Sequence, residues 1–178
     1  MGLTCSKNED IIIVSDLDEF PDPRVLKSIK NNSVYTNESL ESKLVDSGPI
    51  ALDLKMYMGY LNCRTKENWL GCAIGKREFV RSPQDFRSFR HLYPRIPDSG
   101  WHLTWMGGEQ KVREKVMALC EGVSQTTEYN EVIVRNIVNG QGMPTNNRKC
   151  FVEKMNDLDF PLKNKLFESN KDMWFYNE

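Results

Sequence analysis

Three carboxylates stand together near the start of this chain, in Ser15-Asp16-Leu17-Asp18-Glu19, directly after the apolar run Ile11-Ile12-Ile13-Val14. Asp16 and Asp18 are two apart, so on an extended backbone both side chains point to the same side. Like charges held together call for a cation, a shared proton or open water. Oxygen ligands of this kind suit a hard divalent ion such as Mg²⁺ or Mn²⁺. Acids at the carboxyl end of a strand also sit where open α/β sheets place their ligands. The chemistry first expected is therefore metal-assisted handling of phosphate oxygens, with Asp16 and Asp18 as ligands.

Two enzyme classes use a strand followed by Asp-x-Asp. In one, the cation bridges the diphosphate of a nucleotide-sugar and neutralises the departing nucleoside diphosphate. In the other, the haloacid-dehalogenase phosphohydrolases, the first Asp attacks phosphorus and the second is the general acid. That class continues Gly-Thr or Gly-Val, whereas this chain continues Glu19-Phe20-Pro21. An acidic loop that only caps the following helix is the plainest alternative.

Other side chains could complete such a site. His102 lies between Trp101 and Trp105 on an aromatic strand, and imidazole can complete a Mn²⁺ shell begun by carboxylates. A lone histidine is otherwise a satisfied structural group. Trp69, Trp101, Trp105 and Tyr57 are candidate sugar platforms, because aromatic faces pack on the C–H faces of sugar rings; core packing competes for each. Lys76 and Arg77 follow Gly75 and are placed to contact a diphosphate, or to solvate a hairpin end. Glu109 at a helix start is the first candidate for a general base, with Glu19 and Asp98 as competitors.

The elements that must position these residues are set by pattern. Ile11–Val14 reads as a buried parallel strand. Asp22 is an N-cap and Pro23 a first helical residue, giving a helix to about Asn31 with Val25, Leu26 and Ile29 inward. Residues 33–48 read as loop or weak helix. Two strands, in 51–61 and 69–74, form a hairpin around the turn-like segment 63–68. Ser82-Pro83 starts a short helix, and 93–99 is loop. A strand covers 100–106. Helices come next over about 109–121, with Val112, Val116, Leu119 and Cys120 inward, and 129–138, ended by Gly140. The apolar tail 150–178 packs back on the domain.

At 178 residues with net charge −1, one domain (1–178; core 9–149, tail 150–178) is expected, with no electrostatic case for nucleic acid. No apolar stretch spans a membrane and the start lacks a signal-peptide core, so a cytoplasmic location is expected. Five cysteines without a C-x-x-C pair fit a reducing compartment.

Taken together, Ile11–Pro21, Asn68-Trp69-Leu70-Gly71 and Ser99-Gly100-Trp101-His102-Leu103-Thr104-Trp105 resemble glycosyltransferase family 17, the β-1,4-mannosyl-glycoprotein 4-β-N-acetylglucosaminyltransferase-like enzymes. The resemblance covers most of the chain from residue 9. It implies an α/β, GT-A-like mixed sheet with flanking helices and an inverting transfer of N-acetylglucosamine from a UDP-sugar to a carbohydrate hydroxyl of an N-glycan. On that analogy Asp18 is the direct Mn²⁺ or Mg²⁺ ligand, Asp16 places the ribose or a metal-bound water, and His102 is a further ligand. A nucleotide-binding half normally precedes the Asp-x-Asp strand, and here only residues 1–10 do. The expectation is thus a form truncated at the N-terminus, with a non-catalytic glycan-binding remnant as the alternative.

Overall fold

The computed structural model describes residues 3–31, 48–118, 127–144, 148–154, 157–159, 165, 168 and 173–176. It is a mixed α/β structure with antiparallel and parallel strand pairings. The chain divides into two compact units, Met1–Lys55 with Asn68–His102, and Met56–Glu67 with Leu103–Glu178. The expected polar loop over 33–47, Leu119, Cys120 and much of the apolar tail lie outside the described residues.

The first unit is built on strands β1 (Ile11–Val14), β3 (Ile50–Met58, which leaves this unit after Lys55), β5 (Trp69–Lys76) and β6 (Arg95–Ile96), in the order β1–β5–β3–β6. β1 and β3 each run antiparallel to β5, and β6 is parallel to β3. The hairpin expected from 51–74 is present as β3 and β5, and the stretch between them carries the short β4 (Cys63–Thr65) rather than a bare turn. The segment read as loop after Tyr93 contributes β6, because Ala51 and Leu52 offer it a parallel edge.

β1 departs from expectation. It is an antiparallel edge strand and not a buried parallel one, with Ile11 39% and Ile13 40% exposed. Only one face of it is covered: Ile12 and Val14 pack with Ala73, Val80 and Phe86, while the alternate side chains point out. An unbroken apolar run cannot by itself distinguish these cases.

Helix α1 (Pro23–Lys30) closes the opposite face, packing Ile29, Val25 and Leu26 on Ile50, Leu52, Leu54, Cys72 and Ile74. Its start is as expected. Asp22 accepts the Arg24 amide at 2.7 Å, and Pro23 supplies a fixed φ without wasting a donor. Helix α2 (Pro83–Ser88) repeats the device with Ser82 accepting the Asp85 amide at 3.0 Å. A 3₁₀ turn, Arg90–Leu92, comes after it.

β2 (Glu19–Pro21) pairs antiparallel with β7 (Gly100–Thr104), in the register Glu19↔His102, Phe20↔Trp101, Pro21↔Gly100. Gly100 makes this possible. A Cβ there would stand 2.2 Å from the Phe20 carbonyl oxygen, a backbone atom that cannot move aside.

In the second unit the end of β3 pairs with β4, and β4 with β8 (Cys150–Val152). Helices α3 (Gly108–Ala118) and α4 (Thr127–Val138) bury Val112, Val116, Ile133, Val134 and Ile137. In the described part of the tail Leu158 and Phe175 are buried, and Asn62 exchanges two hydrogen bonds with the Tyr176 backbone. No helix of the described residues is long and apolar enough to cross a membrane.

The Asp22 cap sets a pH dependence. The Arg24 guanidinium and the capped amide hold its carboxyl below the ordinary 3.8. A depressed acid stabilises the fold above its unfolded pKa and loses that contribution as pH falls through the folded value. Asp22→Ala should cost about 1 kcal/mol near neutrality. Denaturant titrations of both proteins should show the difference shrinking as pH falls below the ordinary carboxylate value.

Candidate functional site

The candidate site forms in the first unit, where the turn between β1 and β2 meets β5, β7 and the segment after α2. The turn owes its shape to Glu19. Its side chain is fully buried. One carboxylate oxygen accepts the Asp16 amide at 3.0 Å and the other the Trp69 indole N–H at 2.7 Å. The Glu19 amide in turn donates to the Asp16 carbonyl at 3.2 Å. Arg90 lies 3.7 Å from Glu19 Oε1 and covers the Trp69 ring at 5.6 Å. Cys72 shares the pocket, and burial together with the neighbouring Glu19 charge pushes its thiol up to about 12, so it is an inert core residue.

Closing the turn in this way changes the geometry expected of Asp16 and Asp18. They are not on an extended backbone, and each carboxylate has a different neighbour. Asp16 Oδ2 accepts from Arg87 Nη2 at 2.6 Å, a bond that holds the guanidinium more firmly protonated than usual. Asp18 Oδ2 is 3.4 Å from His102 Nε2. Leu17 between them is 98% exposed.

His102 is buried, and its ring stacks obliquely on Trp69 with centroids 4.7 Å apart. Its Nδ1 has no hydrogen-bond partner among the described residues. An unsatisfied acceptor is cheaper here than an unsatisfied N–H, which favours the proton on Nε2, facing Asp18.

The remaining sequence candidates fall in several places. Lys76 pairs with Ile11 at the opposite end of β1 from Asp16. Arg77 donates to the Val80 carbonyl and so closes a 3₁₀ turn. Neither belongs to the group around Asp18. Trp69 is half-buried inside that group, while Trp101 and Trp105 are 3% and 7% exposed and act in packing. Trp105 belongs to the second unit, with Lys115 against its ring. Tyr57 is buried there too, its hydroxyl donating to Glu153. Glu109, also in the second unit, is exposed and accepts two hydrogen bonds from Arg113. Asp98 is exposed and, like Asp53, accepts from the Asn68 amide.

Two site residues escaped the sequence reading, Arg87 and Arg90. They are three apart, Arg87 on α2 and Arg90 on the 3₁₀ turn after it, close to the spacing that brings two helical side chains to one face. That spacing in a run with Arg81 and His91 was the available signal.

Among the described residues, no three His, Cys, Asp or Glu side chains gather closely enough to cage a metal ion on their own. Asp18 and His102 stand 3.4 Å apart, one carboxylate and one imidazole, so a cation between them would need other groups to complete its shell.

No family model, curated protein or solved structure matches this chain.

Because Glu19 is buried and fully engaged, Glu19→Gln should remove an acceptor from either Asp16 or Trp69 and lower unfolding free energy by about 2 kcal/mol. Asp16→Asn, at a half-exposed ion pair, should cost no more than about 1 kcal/mol. Urea unfolding of both variants checks the ranking, and the opposite order would overturn the role given to Glu19.

Proposed function

We propose that the first unit carries the donor end of a metal-dependent glycosyltransferase, of the kind that moves N-acetylglucosamine from a UDP-sugar to a carbohydrate hydroxyl. One observation carries this reading: the three sequence segments that resemble family 17 converge. Ser15–Glu19, Trp69 and His102 are far apart in the chain, yet β2 pairs with β7 at Glu19↔His102, and Trp69 both binds Glu19 and stacks on His102. The same proposal takes the fold to be GT-A-like.

Each residue then has a task. Asp18 and His102 would hold the cation, which when bound supplies positive charge to the leaving diphosphate. Ligation through His102 Nε2 requires that atom to give up its proton and present a lone pair. Arg87 sits beside Asp16 and can exchange that carboxylate for a phosphate oxygen, a bidentate partner that suits guanidinium well. Trp69 offers the exposed part of its ring to a sugar or base, and Arg90 and His102 fix its plane. Glu19 positions these groups and does not serve as base, since both of its oxygens are occupied.

The full engagement of Glu19 also favours a second reading, a site that binds a nucleotide-sugar without transferring it. A phosphohydrolase with Asp16 as nucleophile is less supported, because Asp16 Oδ2 is tied to Arg87 at 2.6 Å.

Calorimetric titration with UDP-N-acetylglucosamine should give binding heat with Mn²⁺ and none with chelator. Asp18→Ala and His102→Ala should each abolish the metal-dependent heat. Unchanged heat in Asp18→Ala would reject the donor-site reading. Binding that persists without any release of UDP, whatever acceptor glycan is supplied, would select the non-catalytic form.

A further inference from the structure

A cavity in the second unit lies where the end of α4 meets β8 and Tyr176. Its volume is about 830 Å³, within the range of roughly 300–1,000 Å³ used by small-ligand sites. None of the residues discussed as donor-site groups lines it.

Three of its walls are primary amides: Asn136, Asn139 and Gln141. Among the described residues none of these side chains makes a hydrogen bond to the protein. The backbone around them is already engaged. The amide of Asn139 donates to Arg135, Gly140 to Ile137, Gln141 to Asn136, and Cys150 to Gln141. The side-chain amides thus each keep a donor and an acceptor to offer a ligand.

Two aromatic rings complete the wall. Phe151 is 45% exposed on β8, and Tyr176 is held in place by Asn62 and by the Tyr60 ring at 5.4 Å. Among the described lining residues there is no carboxylate, and Lys149 is the one charged side chain. Cys150 lies in the wall, but burial pushes its thiol up to about 11, so it offers no thiolate for covalent chemistry.

We infer that this cavity is a binding site for a neutral saccharide, held by the three amides on its hydroxyls and by Phe151 and Tyr176 on its ring faces. A metal ion is unsuited, because hard cations seek carboxylates. A multiply charged anion is unsuited, because among the described residues a single exposed lysine lines the cavity. An extended peptide would need an open strand edge, and the start of β8 is already met by Gln141 and Gly142. A sugar hydroxyl, at once donor and acceptor, matches a primary amide in both roles, and the C–H face of its ring matches an exposed aromatic. This inference stands apart from the donor-site reading and survives its failure.

The test uses the full chain, labelled with ¹⁵N at Asn and Gln side chains. N,N′-Diacetylchitobiose and α-1,2-mannobiose are titrated separately, with inorganic phosphate and a neutral hexapeptide as further arms. At least one disaccharide should shift the Asn136, Asn139 and Gln141 side-chain signals saturably. Phe151→Ala, at an exposed position that should not disturb folding, should raise the dissociation constant about tenfold. Silence of these signals toward both sugars, shifts with phosphate or peptide alone, or unaltered affinity in Phe151→Ala would each overturn the inference. Asp18→Ala should leave the shifts intact, and their loss in that variant would also count against an independent site.

Discussion

A single buried carboxylate organises the first unit. Glu19 has lost its water, and an unpaired buried charge is among the most costly things a fold can hold. The chain answers with the Asp16 amide, the Trp69 indole and the nearby Arg90 guanidinium. Each partner is recruited from a different element: the turn itself, the first residue of β5, and the 3₁₀ turn after α2. The demand of one side chain for solvation thus fixes the relation of three segments distant in sequence.

That constraint imposes a division of labour among the acids. They appear as one run in the sequence, but the fold separates them. Glu19 turns inward and serves structure. Asp16 and Asp18 remain partly solvated, one toward a guanidinium and one toward an imidazole. A site in which every acid faced the same cation would have needed the extended backbone that the Glu19–Asp16 turn forbids.

Local chemistry was legible in advance, and tertiary choice was not. The Asp22-Pro23 and Ser82-Pro83 starts were readable because an N-cap oxygen followed by a proline has one economical conformation. The inward faces of α1 and of α4 at Ile133 and Ile137 were set by period 3.6. The edge position of β1 was hidden, because Ile11 to Val14 reads alike whether one face is covered or two. Within the candidate site, Asp18, His102 and Trp69 could be named from type and spacing. Their convergence could not, since it depends on the β2–β7 register and on a buried hydrogen bond. Arg87 and Arg90 were missed because their three-residue spacing, the one signal they carried, is shared by solvated arginines.

Gly100 bears on how such a site would look to genetics. It touches nothing reactive, yet its missing methyl is what lets the Phe20 carbonyl pass and the two motif-bearing strands join. A saturation screen scored on any output of the site would rank this position with the acids. Intolerance to substitution there reports steric clearance rather than chemistry, so a mutational map alone would count one reactive group too many.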